Sequence, residues 1–229
     1  MTRVTDFGVL DNPIWFSAQT AHRSLVRINR RACRYADDVS PFAAVETATQ
    51  AAFDDLAALV APQDGMGFCT ADPISVPPGW QVARLMPLTQ MVCTEQRHAA
   101  AASFLTLGEP DVSEMLALTA ATEPGPFLPA TIRMGRYFGV REAGRLIAMA
   151  GERLQPDGLT EISAVCTDPD FRGRGYARAL VRYLLQLIFA DSRTPFLHVK
   201  PENEAAIKLY EALGFTIRRT MQLTLLARE

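Results

Sequence analysis

Residues 161–178 (EISAVCTDPDFRGRGYAR) combine an alternating run, a turn rich in glycine and arginine, and the start of an amphipathic helix. This order predicts a strand, a loop of free backbone N–H groups and a helix N-terminus. The first N–H groups of a helix lack internal partners, and the helix dipole adds partial positive charge there. Gly173 and Gly175 let the backbone approach a ligand closely. Arg172 and Arg174 add forked donors suited to phosphate. The stretch therefore predicts a site for a pyrophosphate-bearing ligand.

Length, composition and charge narrow the class of protein. The 229 residues allow two modest domains, and an apolar content of 48% is enough for a core. The formal net charge of −2 offers no basic footprint for nucleic acid or an anionic membrane. The four cysteines are far apart and form no CxxC pair, which predicts buried free thiols in a reducing compartment and no metal site. No signal-like start and no run of about 18 apolar residues occurs. We expect a soluble cytoplasmic protein without nucleic-acid or membrane partners.

The chain divides into two predicted halves, residues 1–108 and residues 109–229. The boundary is expected in the alanine-rich segment of residues 98–108, which ends in a Gly-Glu-Pro sequence. The first half mixes helix and strand signals and contains no chemical constellation. The second half is predicted as two helices, three strands, a helix, a strand, a helix and a strand. The predicted fold class is α/β, with a mixed α+β sheet.

Two known phosphate-binding motifs are alternative interpretations of the glycine loop. A Walker loop is excluded, because GxxxxGK[ST] does not occur. Gly173-x-Gly175-x-Ala177 follows a predicted strand and opens a helix, as a dinucleotide fingerprint does. However, residues 168–171 (DPDF) stand between the strand and the first glycine, where that fingerprint has a tight turn. NAD binding is therefore disfavoured and stays the closest alternative.

The same loop carries a family resemblance. Residues 172–177 (RGRGYA) match R/Q-x-x-G-x-G/A, the acetyl-CoA motif of the GCN5-related N-acetyltransferases, or GNAT superfamily. Residues 203–215 (NEAAIKLYEALGF) resemble that family's second motif, N-x-x-A-x-x-x-Y-x-x-x-G-F. The sequence most resembles the FR47-like subgroup, and the resemblance covers about residues 111–226. It implies a GNAT acyl-CoA N-acyltransferase fold in the second half, while the first half could be a degenerate GNAT-like copy.

The resemblance also implies how acetyl-CoA, the co-substrate, would bind. Backbone groups of Val165 and Thr167, with Cys166 between them, would pair with the pantetheine arm like an added strand. The Val165 N–H is the candidate oxyanion donor to the thioester carbonyl. Asn203 would hydrogen-bond the pantetheine, although it could equally cap the following helix, and both roles are compatible. The pyrophosphate would lie on the N–H groups of Arg172, Gly173, Arg174, Gly175, Tyr176 and Ala177.

The implied reaction is direct attack of an amine on the thioester within a ternary complex. The amine must first lose a proton, and Glu161 is the candidate base. It precedes Arg172 by eleven residues, and the alternation places it on one strand face with Val165, so it could reach the cleft directly or through water. The alternative is a solvated carboxylate at a strand end. Tyr210 would protonate the leaving thiolate, and the alternative is a packed helix tyrosine.

Four further residues have weaker claims to the site. His198 could help to deprotonate the acceptor, but a core histidine is the more common arrangement. Cys166 could be a nucleophile in a ping-pong route, but a buried thiol is favoured. Glu123 and Phe127 lie in the loop between the two helices and could line the acceptor site.

These inferences predict an N-acetyltransferase that acts on a small amine or amino acid. A protein N-terminus or lysine is the alternative acceptor, and a non-catalytic acyl-CoA-binding module is the alternative class. The first half could shape the acceptor pocket, pair two chains as a homodimer, or cover the sheet.

Overall fold

The computed structural model describes residues 7–95 and 103–229. Its helices are α1 (Pro13–Gln19), α2 (Gln50–Ala57), α3 (Val112–Thr122), α4 (Tyr176–Ala190) and α5 (Glu204–Ala212). Its strands are β1 (Val26–Asn29), β2 (Ala32–Tyr35), β3 (Ala43–Val45), β4 (Gly65–Thr70), β5 (Trp80–Val92), β6 (Leu105–Leu107), β7 (Tyr137–Glu142), β8 (Arg145–Glu152), β9 (Leu159–Thr167), β10 (Thr194–Val199) and β11 (Thr216–Arg228).

The strands form two sheets. The smaller has the order β1-β2-β3, and the larger has the order β4-β11-β5-β10-β9-β8-β7-β6. Within the larger sheet β9 and β10 run parallel, and the other neighbouring strands are antiparallel. A parallel pair needs a long crossover, and α4 supplies it between β9 and β10. The predicted α/β class with a mixed sheet is confirmed.

The strand β5 ties the two halves of the chain together. It comes from the first half, yet it lies between β10 and β11 of the second half. The sheet therefore continues across the predicted boundary at Gly108. The first half builds no second sheet of this kind within the described residues, because β4 and β5 join the large sheet. The predicted degenerate copy is thus not confirmed, and residues 98–102 of the boundary segment lie outside the described residues.

Helices cover both faces of the strand β9. Leu180, Val181, Leu184 and Ile188 of α4 are spaced for one helical face and are buried against one side of the sheet. Each such side chain stabilises the fold by about 1.5–3 kcal/mol before entropy is counted. On the other side, Met115 and Leu118 of α3 pack in a second cluster with Cys166. The strand that carries the central motif is thereby held between two apolar layers.

A bulge interrupts β9 in its middle. Gly151 of β8 pairs with Ser163, whereas Met149 pairs with Cys166, so β9 contains one extra residue between these positions. Ala164 has a φ of 51° at this point. As a result Val165 packs on the α4 side, while Cys166 packs on the α3 side.

The bulge overturns one expectation from the sequence. Strict alternation predicts that Glu161 and Val165 share a face, but Ile162 and Val165, three residues apart, both pack on the α4 side. The extra residue shifts the period-2 pattern by one, which exchanges the faces beyond it. Glu161 therefore does not share a face with Val165.

The strands β9 and β10 separate soon after they meet. Their pairing begins at Leu159 with Thr194 and ends at Glu161 with Phe196. Beyond that point β9 continues to Thr167 and β10 to Val199, with no further pairing between them in the described chain. This opens a gap in the sheet between the two strand ends.

Candidate active site

The glycine loop and α5 enclose a cavity of about 590 Å³ on the α4 side of the sheet. Gly173 and Gly175 have φ angles of 78° and 83°, which other residues rarely adopt. The helix α4 begins at Tyr176, so its first backbone N–H groups lie next to the loop and have no partner within the helix. The lining consists of Thr167, Phe171, Arg172, Gly173, Gly175, Tyr176, Ala177, Arg178, Ala205, Lys208 and Leu209.

The polar groups of this first cavity suit an anion. Arg172, Arg178 and Lys208 place three cations on its lining. The Thr167 hydroxyl oxygen is buried and has no hydrogen-bond partner in the described chain. A buried hydroxyl without a partner costs about 1–3 kcal/mol, which a ligand with polar groups would recover. The residues present therefore fit a ligand that combines a pyrophosphate with further polar atoms.

Arg174 differs from the other loop residues in its placement. Its side chain is 3.4 Å from the Glu142 carboxylate, and its guanidinium lies 4.7 Å from the centre of the Phe171 ring. It does not line the first cavity. The expected contribution of this side chain to an anion site is therefore directed elsewhere, although its backbone stays within the loop.

Three further predicted cofactor residues have the following surroundings. The Asn203 side-chain oxygen accepts a hydrogen bond from the Ala206 N–H at 3.1 Å and so caps α5. Cys166 is buried, and burial raises the pKa of its thiol to about 11. A thiol with that pKa is protonated at neutral pH and is a poor nucleophile. Val165 is partly exposed, and it lies on β9 beyond the last pairing with β10.

Glu161 lies in a closed ion pair. Its carboxylate accepts hydrogen bonds from Arg153 Nε at 2.9 Å, Arg153 Nη2 at 2.7 Å, His198 Nδ1 at 2.7 Å and the Leu154 N–H at 3.2 Å. Burial by itself raises the pKa of this carboxyl, but Arg153 and His198 outweigh it and hold the pKa well below its usual range. The side chain is 0% exposed and lines neither cavity. The expectation of a solvated carboxylate, or of one that reaches the cleft directly, is therefore wrong.

His198 links Glu161 to a second polar chain. Its Nε2 lies 3.0 Å from Gln90 Nε2, and the Gln90 amide oxygen accepts a hydrogen bond from Arg218 at 2.8 Å. Because Arg218 determines the amide orientation, the Gln90 nitrogen donates towards the ring. Burial lowers the pKa of His198, but Cys69 and Glu161 outweigh burial and raise that pKa to about 9. The Nδ1 proton is directed at the Glu161 carboxylate, and the side chain is only 3% exposed.

Tyr210 lies on α5 in the α4-side core. It is 8% exposed, and its ring packs edge-on against Phe215 at 5.8 Å. Burial raises its pKa to about 12, so the hydroxyl keeps its proton at neutral pH. Within the described residues the hydroxyl makes no hydrogen bond, and Tyr210 lines neither of the two cavities. The two predicted catalytic residues are therefore not brought together in one place.

A second cavity of about 560 Å³ lies on the α3 side of the sheet. It contains both predicted acceptor-site residues, Glu123 and Phe127. Glu123 ends α3 in the left-handed region with a φ of 48°, and Phe127 packs against Tyr137 at 5.5 Å. His198, the third predicted acceptor residue, does not line it. The lining consists of Leu116, Thr119, Ala120, Glu123, Gly125, Phe127 and Lys200.

The two cavities lie on opposite sides of the strand gap. Thr167, the last residue of β9, lines the first cavity, and Lys200, directly after β10, lines the second. The arrangement can hold an anionic ligand on one face of the sheet and a second ligand on the other.

Several lining residues were not predicted from the sequence. Lys208 could have been found, since it lies one turn after Glu204 on a helix that begins at the second motif. Lys200 and Gly125 carry no such local signal, because their place in the cavity depends on contacts between distant segments. Among the described residues, no group of three or more His, Cys, Asp and Glu side chains could hold a metal ion. No helix in the described ranges is long and apolar enough to cross a membrane.

Comparison with known proteins adds independent findings. The FR47-like protein family model matches residues 137–223. A crystal structure from Novosphingobium aromaticivorans, assigned to the GNAT family as an acetyltransferase, has 40% sequence identity and a TM-score of 0.88. The match covers 96% of this chain and 98% of that one.

Two relatives match over shorter segments. N-alpha-acetyltransferase RimI of Mycobacterium tuberculosis is 39% identical over 82 residues, which is 34% of this chain and 51% of that protein. The ribosomal protein bS18-alanine N-acetyltransferase of Escherichia coli is 36% identical over 96 residues, which is 40% of this chain and 64% of that protein. The chain thus spans about half to two thirds of the length of these two relatives.

Proposed function

The chain belongs to the GNAT family of acetyltransferases, and from that premise we propose that it transfers an acetyl group from acetyl-CoA to a primary amine. The acceptor is a small molecule or an amino acid, and the reaction is direct attack in a ternary complex. One observation carries the proposal: two cavities of similar volume, one with cationic and N–H donors and one with Glu123, Lys200 and apolar side chains, lie at the separated ends of β9 and β10.

The donor side follows from the first cavity. The pyrophosphate of acetyl-CoA lies on the N–H groups of the glycine loop, near Arg172 and Arg178. The pantetheine arm enters the strand gap and pairs with the backbone of Val165 and Thr167. The Val165 N–H, released from the ladder by the bulge, faces the thioester oxygen as the oxyanion donor. Asn203 combines its observed cap with a hydrogen bond to the pantetheine.

The chemistry requires two proton transfers. The amine nitrogen attacks the thioester carbon, the carbon–sulfur bond breaks, and the sulfur leaves as a thiolate. The Tyr210 hydroxyl donates to that sulfur. The amine proton passes to water or to a carboxylate, and Glu123 is the carboxylate on the second cavity. Glu161 could take part only through His198 or a bound water, because it lines neither cavity.

A protein N-terminus is the second candidate acceptor. Both sequence relatives are named for that activity, one as an N-alpha-acetyltransferase and one for an alanine of a ribosomal protein. A non-catalytic acyl-CoA module would use only the first cavity.

Titration and turnover separate these candidates. We expect calorimetry to show binding of acetyl-CoA and none of NAD, and thiol release to occur with amino acids or small amines from a panel that includes N-terminal peptides. Intersecting initial-rate lines, unchanged in Cys166→Ala, would support direct attack. Parallel lines with an acetylated protein in mass spectrometry would contradict it. Binding without thiol release for any amine would leave only the non-catalytic module.

A further inference from the structure

We infer that the acceptor carries a carboxylate, which Arg153 and Lys200 recognise at the second cavity. The inference rests on the proposed function and names its acceptor class: an amino acid with an apolar side chain rather than a simple amine. It makes Arg153 a specificity-determining residue, with Glu161 as the residue that positions it.

The Arg153 guanidinium uses only part of its donor set inside the protein. Nε and Nη2 bind the Glu161 carboxylate at 2.9 and 2.7 Å. No hydrogen bond from Nη1 occurs in the described part of the chain, and the side chain is 13% exposed. The guanidinium also stacks over the Phe42 ring at 5.2 Å, which holds its plane. The Nη1 edge of the Arg153 guanidinium is thus held in place, and its N–H groups have no acceptor in the described residues.

Gly125 leaves that edge uncovered. A Cβ atom on Gly125 would lie 3.8 Å from Arg153 Nη1, so this nitrogen is in van der Waals range of the position that a side chain would occupy. Gly125 lines the second cavity, and its φ of 132° is rarely adopted by other residues. Arg153 does not line the cavity itself, so a ligand there would reach Nη1 past Gly125, where the absence of a side chain keeps the approach short.

The lining of the second cavity also carries two charged side chains that are free to interact with a ligand. Lys200 and Glu123 lie on it, and neither side chain has an ion-pair partner within residues 7–95 and 103–229. Leu116, Ala120 and Phe127 supply apolar surface on the same lining. An amino acid has the complementary set: an ammonium for Glu123, a carboxylate for Lys200 and Arg153, and an apolar side chain.

The ion pair with Glu161 makes Arg153 suited to this task. A cation held by a buried carboxylate does not need to be ordered when the ligand binds, which lowers the entropic cost of recognition. Arginine binds carboxylates with a planar fork, whereas lysine offers a point charge. A lysine in place of Arg153 would keep the charge beside Glu161 and lose the Nη1 edge.

Matched acceptors test the inference. L-Leucine, L-leucinamide and 3-methylbutylamine share a side chain and differ in the carboxylate. Thiol release from acetyl-CoA is measured for each over a pH series, and kcat/KM is expressed per concentration of unprotonated amine. Leucine is expected to exceed leucinamide by about tenfold, which corresponds to one charge-assisted hydrogen bond. Methionine and phenylalanine with their amides extend the series.

Three variants locate the recognition. Arg153→Lys should bring the ratio of leucine to leucinamide close to one. Lys200→Gln, at an exposed position, should lower that ratio by roughly threefold, as a partly solvated charge contributes less. The sequence contains only one other lysine, Lys208. Lys208→Gln should raise the KM for acetyl-CoA and leave the ratio unchanged, because this lysine lines the first cavity.

The outcomes separate this inference from the proposed function. Thiol release with leucinamide equal to or faster than leucine would overturn the inference while the acetyltransferase stands, and would favour a peptide N-terminus. A ratio unchanged in both Arg153→Lys and Lys200→Gln would also overturn it. Binding of acetyl-CoA without thiol release for any acceptor would refute the proposed function, and the inference with it.

Discussion

Arg153 and Glu161 form a buried ion pair through two hydrogen bonds, with the Glu161 side chain 0% exposed and the Arg153 side chain 13% exposed. Their backbones are also bonded, since the Arg153 N–H donates to the Glu161 carbonyl at 2.9 Å. The carboxylate that sequence reasoning selects as the base is therefore part of the framework between β8 and β9. The Glu161 carboxylate holds the Arg153 guanidinium in a fixed orientation.

Glu161→Gln should destabilise the protein more than it slows the reaction. Removing one partner of a buried pair costs about 3–5 kcal/mol, which corresponds to a fall in Tm of roughly 10 °C. Below its Tm the variant should keep kcat within about tenfold of the parent, since loss of a general base costs about a hundredfold or more. Calorimetry and thiol release measure the two effects. Asp72→Asn, which removes an exposed partner of Arg219, should change neither.

The opposite pattern would restore the catalytic assignment. An unchanged Tm with a loss of kcat of a hundredfold or more would mean that Glu161 acts as the base through His198 or water.

Gly175→Ala should weaken acetyl-CoA binding. Gly175 has a φ of 83° and lines the first cavity, and a Cβ there would meet no protein atom within 4 Å. The added methyl group therefore takes space from the ligand, and the backbone strain costs roughly 1–2 kcal/mol. We expect the Kd for acetyl-CoA to rise by about tenfold or more in calorimetric titration.

Gly144→Ala is the matched control for this substitution. Gly144 lies in the turn between β7 and β8 with the same φ of 83° and with equally open space around it. The backbone strain in Gly144→Ala should lower the Tm by about as much as the strain in Gly175→Ala. The Kd for acetyl-CoA should be unchanged. If both variants lose affinity equally, the effect is on folding and not on the site.

Tyr210→Phe should lower kcat without changing the Kd for acetyl-CoA. The hydroxyl has no hydrogen bond to lose in the described residues, and its pKa of about 12 keeps the proton on it at neutral pH. Loss of a donor to the leaving sulfur is expected to cost about a hundredfold in kcat. Tyr183→Phe is the control, because the Tyr183 ring on α4 packs between Phe104 and Phe138, and it should have no such effect. An unchanged kcat in Tyr210→Phe would assign this tyrosine to packing.

His22 should make stability depend on pH near neutrality. Its Nδ1 lies 2.8 Å from the Tyr35 hydroxyl and its Nε2 lies 2.9 Å from the Met134 carbonyl, so Nε2 carries the proton and Nδ1 accepts. Burial, partly opposed by the Met134 hydrogen bond, lowers the pKa of His22 below its ordinary value of 6.5. The unfolded chain therefore binds the proton first, and stability falls as the pH drops from 6.5 towards the lowered pKa.

The measurement compares Tm at pH 7.5 and pH 5.5 in the parent and in His22→Gln. The parent should lose more Tm over this interval than the variant, which cannot titrate at this position. Equal losses in the two proteins would show that His22 does not carry this dependence, and the shift would then belong to other groups.

The local structure of the proposed donor site was accessible to sequence reasoning because its signals are local. The glycine loop, the start of α4 and the Asn203 cap each depend on residues within one or two turns of each other. Two motifs in the right order also indicated the GNAT family, and that recognition is confirmed. The mixed α/β class followed from the order of periodic segments and is likewise confirmed.

The incorrect expectations about the strand face and the surroundings of Glu161 depend on features that no short stretch of sequence contains. The bulge at Ala164 adds one residue to β9 against β8, and this exchanges the strand faces that alternation had assigned to Glu161 and Val165. The partner that closes over Glu161 is Arg153, eight residues away on the other side of a turn. Nothing in the sequence around either residue distinguishes a buried ion pair from two solvated charges.

The sequence by itself therefore determined the family, the class of fold and the glycine loop that opens α4, because backbone conformation and helix capping act over a few residues. Only the tertiary structure decided which side chains share a cavity. The insertion of β5 between β10 and β11, the gap beyond Glu161 and Phe196, and the position of Arg153 behind Gly125 all arise from contacts between distant segments. Such contacts form when the whole core packs. Hydrophobic burial is non-directional, so the sequence of one segment does not specify which distant segment it will contact.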